Sequence, residues 1–241
     1  MKKVFLLCGL LCLHSLNTHG QDMLTATIAN IAIHDFQRER IRSEYEQGKI
    51  LRKSSQNSNE VLKAIRPGRS FLFEPDAAVS AIVKRSIIDD LKKKNPGSGN
   101  NLEVVLKRNN PLPAYAGYLK NIGLDVQHNY ADAFSAYLLG MWRIANGQHI
   151  DPSAMQINAV RNQVACIIDV AGWSHRKKQE AAEYLLYDLV FANEPYEGAR
   201  RAGNKMQQLQ DSDMVYYRFL RQHKMDLRKM TVTRNGLVST N

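Results

Sequence analysis

The sequence predicts a mainly α-helical fold, a multi-helix bundle around one buried central helix with a short extended C-terminal tail. Three observations predict this fold class. From residue 74 onward, apolar residues recur at helical spacing, and proline, glycine and asparagine separate the periodic segments. Residues 130–146 are apolar around almost the whole helix circumference. Since a helix that is apolar on all sides is usually buried, we expect residues 130–146 at the centre of the bundle.

The predicted helices follow one another along the second part of the chain. They are residues 76–94, 101–108, 114–121, 130–146, 152–170, 174–193 and 205–223. Ala136 and Gly140 lie one turn apart and predict the close approach of a neighbouring helix. Pro195 and Gly203 are expected to interrupt the chain before the last helix, because both residues disfavour a continuous helix. Residues 230–238 form at most a short extended piece.

The composition is that of an ordinary globular protein. The 241 residues are 44% hydrophobic and 23% charged, which excludes collagen-like, fully disordered and mucin-like chains. The mean hydropathy is −0.39. Past the N-terminus no apolar run approaches the length of a transmembrane helix, so we do not expect an integral membrane protein.

Residues 1–20 have the layout of a secretory signal peptide. Lys2 and Lys3 precede an apolar run, residues 4–13, that is too short to cross a bilayer. Cleavage after Gly20 is therefore predicted, and a retained N-terminal anchor is the alternative. Cleavage would leave Cys166 as the only cysteine, so no disulfide could form within the exported chain. The predicted location is periplasmic or extracellular.

Residues 21–70 differ from the rest of the chain. Residues 23–46 are compatible with a helix, but their apolar side chains fit no single face, and residues 53–60 are a polar linker. We therefore divide the chain into a signal peptide (1–20), an N-terminal helix and linker region whose composition allows flexibility (21–70), and a helical domain (71–241).

The chain is basic. The sequence has 33 Lys and Arg and 23 Asp and Glu, which gives a formal net charge of +10. Removal of Lys2 and Lys3 with the predicted signal peptide would lower the net charge to +8. An excess of positive charge is compatible with anionic partners such as nucleic acid, lipopolysaccharide or an acidic protein. The basic residues are scattered in short clusters, however, which solvated helix faces also explain. We find no specific nucleic-acid-binding motif.

No established catalytic motif is present. The sequence lacks the G-x-S-x-G elbow, the P-loop and the H-E-x-x-H zinc helix. Cys166 is expected at the edge of an apolar stripe, as a core residue rather than a nucleophile. His128 and Asp132 have helical spacing, but zinc would need further ligands from elsewhere. We therefore predict neither a cofactor nor a metal site.

Three carboxylates are the candidates for catalysis. Asp132 lies on the predicted central helix, and Glu180 and Glu183 lie close together on a later helix. Two partly buried carboxylates can take different pKa values and act as acid and base, as in enzymes that cleave glycans. The alternative, which we favour, is a buried polar network that fixes how the helices pack. Its predicted members are Asp132, Arg143, Arg161, Gln163, Gln179 and Glu183.

Several short motifs occur within the predicted helical domain. They are Gly123-Leu124, Asn129-x-Ala131-Asp132-Ala133-x-x-Ala136-Tyr137, Trp142, Asn146-Gly147, Arg161-x-Gln163, Gln179-Glu180-x-Ala182-Glu183, and Asp226-Leu227 followed by Val232-Thr233-x-x-Gly236-Leu237. Together they resemble the core signature of a family of exported bacterial proteins that is catalogued only as a domain of unknown function. The resemblance covers residues 76–238, and Val232 departs from it, since the family usually has leucine there. It implies export and a helical domain, and it brings no activity, cofactor or catalytic residue.

The function that these observations favour is a non-enzymatic, exported module that binds a macromolecule of the cell envelope, with a protein in a regulatory, inhibitory or immunity-type complex as the expected partner. One alternative is an envelope glycan hydrolase that uses Asp132, Glu180 and Glu183. Another is an electrostatic binder of an anionic polymer or membrane surface. The binding module predicts an exposed apolar or basic patch. The glycan hydrolase predicts a concave site with carboxylates about 5–10 Å apart, and the electrostatic binder predicts basic residues gathered on one face.

Overall fold

The computed structural model describes residues 70–149 and 151–240. The predicted signal peptide and residues 21–69 of the predicted N-terminal region lie outside these residues. Within the described ranges, 70% of the residues are helical, in seven α-helices and one 3-10 turn, so the predicted mainly α fold is confirmed. The helices are α1 (Ala77–Lys94), α2 (Pro96–Arg108), α3 (Leu112–Asn121), α4 (Tyr130–Ala145), α5 (Ala154–Ile167), α6 (His175–Arg201) and α7 (Lys205–Gln222). A 3-10 turn (Leu227–Lys229) and the strands β1 (Met230–Thr233) and β2 (Gly236–Ser239) follow.

Polar side chains fix the starts of most helices. Asp76 accepts a hydrogen bond from the backbone N–H of Ala78 at α1, and Asn129 accepts one from the backbone N–H of Ala131 at α4. At α5, Ser153 forms a reciprocal capping box with Gln156. These bonds satisfy N–H groups that have no partner inside the helix, so the polar residues before each apolar segment define where it begins.

α4 is the central helix, as the sequence predicts. Thirteen of its sixteen residues are buried, and it packs against α5, α6 and α7. Gly140 lies so close to α6 that a Cβ at this position would overlap the Cδ1 atom of Leu189. The predicted close approach of a second helix is therefore confirmed at Gly140.

α6 is shared between two hydrophobic clusters. One face of α6 packs in the main core around α4, through residues such as Leu185 and Leu189. The opposite face joins α1 and α2 in a second cluster, through Tyr187 and Phe191 among others. Because both sides of α6 are covered, its buried residues do not form the single stripe of a surface helix.

The structure corrects the predicted interruption at Pro195, because α6 continues through Pro195 to Arg201. Proline removes a backbone donor and disfavours a helix interior. Here tertiary contacts hold the helix on both sides of it. The guanidinium of Arg143 donates hydrogen bonds to Asn193 and Glu197, which flank Pro195 in sequence.

The structure also moves the start of the second helix from residue 101 to Pro96. Asn95 ends α1 and also caps α2, since its side chain accepts a hydrogen bond from the N–H of Ser98. Pro96 suits the first turn of a helix, where its missing N–H leaves no bond unmade. Gly99 packs directly against the backbone of Lys92, so this glycine allows α2 to approach α1. The other helix boundaries agree with the predicted ones to within about one turn.

The extended tail is an antiparallel hairpin that side-chain amides attach to α5. Strands β1 and β2 pair with Val232 opposite Leu237. Gln163 accepts a hydrogen bond from the N–H of Leu237 at 2.8 Å and donates one to its carbonyl at 3.0 Å. Gln156 donates a hydrogen bond to the carbonyl of Val232 at 2.8 Å. The amide of Gln163 thus pairs with one strand residue in the way that a neighbouring strand would.

The central helix holds the segment before and at the start of β1 in a similar way. The indole N–H of Trp142 donates a hydrogen bond to the carbonyl of Met230 at 2.8 Å. The side-chain amide of Asn146 donates one to the carbonyl of Leu227 at 3.0 Å. Asn146 with Leu227, and Gln163 with Leu237, therefore join short motifs of the sequence across long separations, and these contacts have a structural role.

Candidate functional site

Asp132, the first catalytic candidate, is buried and paired with Arg161 of α5. Its Oδ1 atom lies 2.5 Å from the Nε of Arg161, and its Oδ2 accepts a hydrogen bond from the backbone N–H of Asp125 at 2.8 Å. Burial raises the pKa of Asp132, although the positive charge of Arg161 acts in the opposite direction. Arg161 also donates to the carbonyl of Gly123. Both oxygens of Asp132 therefore hold the loop before α4 against α5.

Glu183 is buried between α6 and α1. Its Oε1 accepts hydrogen bonds from the hydroxyl of Ser80 at 2.5 Å and from the amide of Gln179 at 2.8 Å. Within the described ranges, its buried Oε2 has no hydrogen-bond partner. Burial raises the pKa of Glu183, and the two hydrogen bonds oppose this shift. Gln179 also exchanges hydrogen bonds with the backbone of Asp76, so this cluster fixes the start of α1 against α6.

Glu180 points elsewhere and pairs with a residue on its own helix. Its Oε1 lies 2.8 Å from the Nε of Arg176, one turn earlier on α6. The described contacts of Asp132, Glu180 and Glu183 involve different partners, and none of these contacts joins two of the three carboxylates. These contacts therefore do not link any two of the three carboxylates as an acid–base pair.

The six residues of the predicted polar network take part in four separate contacts. Asp132 and Arg161 join α4 to α5, whereas Gln179 and Glu183 join α6 to α1. Arg143 joins α4 to α6, and Gln163 joins α5 to β2. Each of the six therefore helps to link two elements, but the structure does not place them in one continuous network.

Arg143 lies in a cluster of ionisable residues between α4 and α6. Its guanidinium donates a hydrogen bond to Glu197 at 2.7 Å, and Arg200 donates to the other oxygen of Glu197 at 2.7 Å. Burial alone would raise the pKa of Glu197, but the hydrogen bonds from Arg143 and Arg200 lower it overall. The Arg143 guanidinium also lies 5.9 Å from the ring centroid of Tyr196.

Two tyrosines and an aspartate extend this cluster, and the sequence interpretation missed all three. The hydroxyl of Tyr118 donates to Asp151 at 2.5 Å, and the ring centroids of Tyr115 and Tyr118 lie 5.9 Å apart. Burial raises the pKa of both tyrosines, and the negative charge of Asp151 adds to the shift. The two tyrosines come from α3 and Asp151 from the segment before α5, whereas Arg143 and Glu197 come from α4 and α6. No local spacing in the sequence could therefore have indicated the cluster.

A second missed group is a buried ion pair in the core. Asp188 of α6 lies 2.7 Å from Arg218 of α7, and the hydroxyl of Tyr137 of α4 donates to the other Asp188 oxygen at 2.9 Å. The Asp188 and Arg218 side chains are 2% and 8% exposed. The only signal in the sequence is one aspartate within the apolar part of α6, which does not identify its partner thirty residues later.

The outward side of α7 exposes an apolar surface. Met206, Leu209, Met214 and Tyr217 are 68%, 60%, 40% and 47% exposed. At 3.6 residues per turn these four residues occupy about 140° of the helix circumference. We call them the α7 face. The opposite side of α7 packs in the core through buried residues that include Val215 and Phe219. Apolar residues therefore lie on both sides of α7.

Cations lie at both ends of the α7 face. Lys205 is four residues before Leu209, and Arg221 is four residues after Tyr217, so each lies beside an apolar residue of the face. The Arg221 guanidinium lies 5.5 Å from the Tyr217 ring centroid. Within the part of the chain that the structure describes, neither Lys205 nor Arg221 forms an ion pair. Asp213, near the middle, pairs with Arg228 at 2.5 Å.

The sequence predicts neither a role for His128 as a metal ligand nor one for Cys166 as a nucleophile. The Nδ1 of His128 lies 2.9 Å from Asp125, so its nearest carboxylate is not that of Asp132. Among residues 70–149 and 151–240, no three His, Cys, Asp or Glu side chains are placed to hold a metal ion. Cys166 is half-buried. No helix in these ranges has both the length and the apolar composition that crossing a membrane requires.

Comparison of the chain with protein-family models, with curated proteins and with solved structures finds no match.

Proposed function

We propose that the protein is an exported helical module that binds another protein of the cell envelope and does not catalyse a reaction on it. The observation that carries this proposal is the α7 face, where four large apolar side chains are exposed on one side of a helix whose other side is already packed. Clustered apolar side chains at a surface are typical of sites for protein–protein contact.

The environments of the three candidate carboxylates support a binding role over glycan hydrolysis. Asp132 is held by Arg161, Glu183 by Ser80 and Gln179, and Glu180 by Arg176. A glycosidase needs two carboxylates that face the same bond from opposite sides. The contacts of Asp132 and Glu183 instead join α4 to α5 and α6 to α1, which suits residues that fix helix packing.

The export component of the proposal rests on the sequence. Residues 1–20 combine two lysines, a short apolar run and a small residue at position 20. This layout is that of a cleaved leader. The envelope is therefore the compartment in which the proposed partner is sought.

The proposed function is tested by affinity capture from an envelope extract with residues 21–241 as bait. The binding-surface variant is Met206→Gln/Leu209→Gln. The matched control is Val104→Gln/Val105→Gln, which changes two exposed apolar residues of α2 that are 46% and 45% exposed. Washing in about 0.5 M salt shortens the Debye length to less than about 5 Å and weakens purely electrostatic contacts.

We expect one stoichiometric protein on the wild-type and control baits and its loss from the α7 variant. Capture of the same proteins by all three baits would contradict a role for the α7 face. A column that retains no protein on the wild-type bait would contradict the proposed function itself.

A further inference from the structure

We propose that the partner presents an acidic amphipathic helix to the α7 face, with apolar residues along one side and carboxylates near both ends. This inference rests on the proposed function and specifies the chemistry of the partner. It follows from the position of the cations, because Lys205 and Arg221 lie at opposite ends of the exposed apolar residues.

The dimensions of the α7 face match a short helix. Met206 and Tyr217 are eleven positions apart, which corresponds to about 16 Å along a helix axis. About three turns of a partner helix cover this length. The methionine side chains of Met206 and Met214 are unbranched and adapt to the shape of an opposing surface. Apolar contact would supply most of the affinity, and the end charges would set orientation and speed of association.

The charge pattern disfavours a second copy of this chain as the occupant. Two α7 faces that pack about a twofold axis present the same cations to each other, since a twofold interface places the same surface on both sides. In an antiparallel pair, Lys205 of each copy would face Arg221 of the other, and like charges would meet at both ends. A partner with carboxylates at both ends removes this repulsion.

A membrane surface fits the α7 face less well than an acidic helix does. Helices that lie in a membrane interface carry many cations along a solvated polar side. The side of α7 opposite the face is instead packed in the core, where Asp211, Val215 and Phe219 are buried. Asp213 lies within the arc of the α7 face and is paired with Arg228. The two cations are therefore confined to the ends, which suits paired contacts with individual carboxylates.

The test measures binding of designed peptides to residues 21–241 by fluorescence anisotropy. The first peptide is a labelled 18-residue amphipathic helix with leucines on one side and glutamates at both ends. The second replaces each glutamate with lysine and keeps the leucines. The protein variants are Lys205→Glu/Arg221→Glu and, as a matched control, Arg85→Glu/Arg108→Glu, which reverses two exposed cations on α1 and α2. Circular dichroism establishes that each variant is folded.

We expect the glutamate peptide to bind wild type and control at least tenfold more tightly than the lysine peptide. We expect the Lys205→Glu/Arg221→Glu variant to reverse this preference. Equal affinity for the two peptides, with loss of both in Met206→Gln/Leu209→Gln, would overturn the acidic character of the partner and leave the proposed function standing.

Two further measurements identify other occupants. Sedimentation of the wild type is expected to show a monomer, and a dimer that Leu209→Gln dissociates would overturn the inference in favour of self-association. Binding to vesicles of phosphatidylcholine and phosphatidylglycerol that depends on Leu209, without binding of either peptide, would overturn it in favour of a membrane surface. If capture from the extract depends on the α7 face but neither peptide binds, this inference fails and the proposed function remains.

Discussion

The buried carboxylate of Asp188 depends on two side chains from other helices. Arg218 supplies the opposite charge and Tyr137 a hydroxyl donor. Removing one member of a buried ion pair leaves the other charge without compensation, which typically destabilises a protein by about 3–5 kcal/mol. This pair therefore couples α4, α6 and α7 more strongly than any ion pair at the surface.

We expect Arg218→Met to lower the free energy of unfolding by about 3–5 kcal/mol, since it leaves Asp188 charged and buried. The double variant Asp188→Asn/Arg218→Met is expected to recover part of this loss, because asparagine is neutral and still accepts the Tyr137 hydrogen bond. Urea unfolding of both variants and of Asp188→Asn measures the coupling. If the double variant loses as much free energy of unfolding as the two single variants lose together, Asp188 and Arg218 are not coupled.

Glu183 predicts a particular pH dependence of stability. Burial raises its pKa above the ordinary value of 4.5, so the folded protein binds a proton more readily than the unfolded chain does. Wild-type stability should therefore fall, relative to Glu183→Gln, as the pH rises through the interval between 4.5 and the raised value. Above the raised pKa, the difference in the free energy of unfolding between wild type and Glu183→Gln should be constant.

Urea unfolding of wild type and Glu183→Gln between pH 4 and pH 8 measures this difference. Glu180→Gln is the matched control, since Glu180 lies one turn away and pairs with exposed Arg176. Two stability curves for wild type and Glu183→Gln that remain parallel over the whole range would rule out the raised pKa.

The sequence places Asp132, Arg161, Gln179 and Glu183 in one polar network, but it does not identify which of them pair, and it does not indicate Ser80 as a partner of Glu183. Arg161 is 29 positions from Asp132, and Ser80 is 103 positions from Glu183. Helical periodicity describes which side of one helix is buried and says nothing about which other helix covers it. Pairings of this kind depend on the three-dimensional arrangement of the whole bundle, and Asp188 with Arg218 is a further case.

At the scale of elements, the contact between α4 and α6 depends on the absence of a side chain at Gly140. We expect Gly140→Ala to lower the free energy of unfolding by about 1–3 kcal/mol, because the new Cβ would overlap Leu189. Gly198→Ala is the matched control, since no atom lies within 4 Å of a Cβ there. Higher helix propensity should make the control neutral or more stable by up to about 1 kcal/mol. Equal thermal shifts in the two variants would contradict tight packing at Gly140.

The hairpin depends on Gly236 in a comparable way. Its φ is +98°, and a Cβ would lie 2.5 Å from the Oε1 of Gln163, the atom that accepts the Leu237 hydrogen bond. We expect Gly236→Ala to destabilise the protein by about 2–4 kcal/mol, from backbone strain together with the displaced amide. Gly172→Ala is the control, because its φ is +76° and no atom lies within 4 Å. Thermal unfolding separates the two effects, and equal losses would argue against the Gln163 contact.

The sequence predicts most of the helices because local signals and tertiary packing agree. The start of α4 at Tyr130 follows from the cap at Asn129 and an apolar sequence. The predicted end at residue 193 is wrong because Arg143 and the buried Tyr196 hold α6 together beyond Pro195. The start of α2 was missed because Gly97 and Gly99 resemble a linker, whereas Gly99 serves a close contact with α1.

At the scale of the whole molecule, the proposed export predicts the form in which the protein accumulates. Expression of the full-length chain should yield an envelope or secreted product that begins at Gln21, because the predicted leader would be removed after Gly20. N-terminal sequencing and intact mass measure this. A Leu6→Asp/Leu7→Asp variant, which interrupts the apolar run, should remain in the cytoplasm with Met1 or Lys2 at its N-terminus. A wild-type product in the envelope that retains the leader would instead support an N-terminal anchor.

The attachment of the hairpin bears on when the protein can fold. Trp142, Asn146, Gln156 and Gln163 find their acceptors 74–88 positions later in the chain. Until residues 227–239 have been synthesised, the central helix and α5 lack these partners and the hairpin that covers them. Contacts between distant parts of a chain require the closure of a long loop, which slows folding. On a polypeptide growing from the ribosome, α4 and α5 would therefore lack this part of their packing until residues 227–239 emerge.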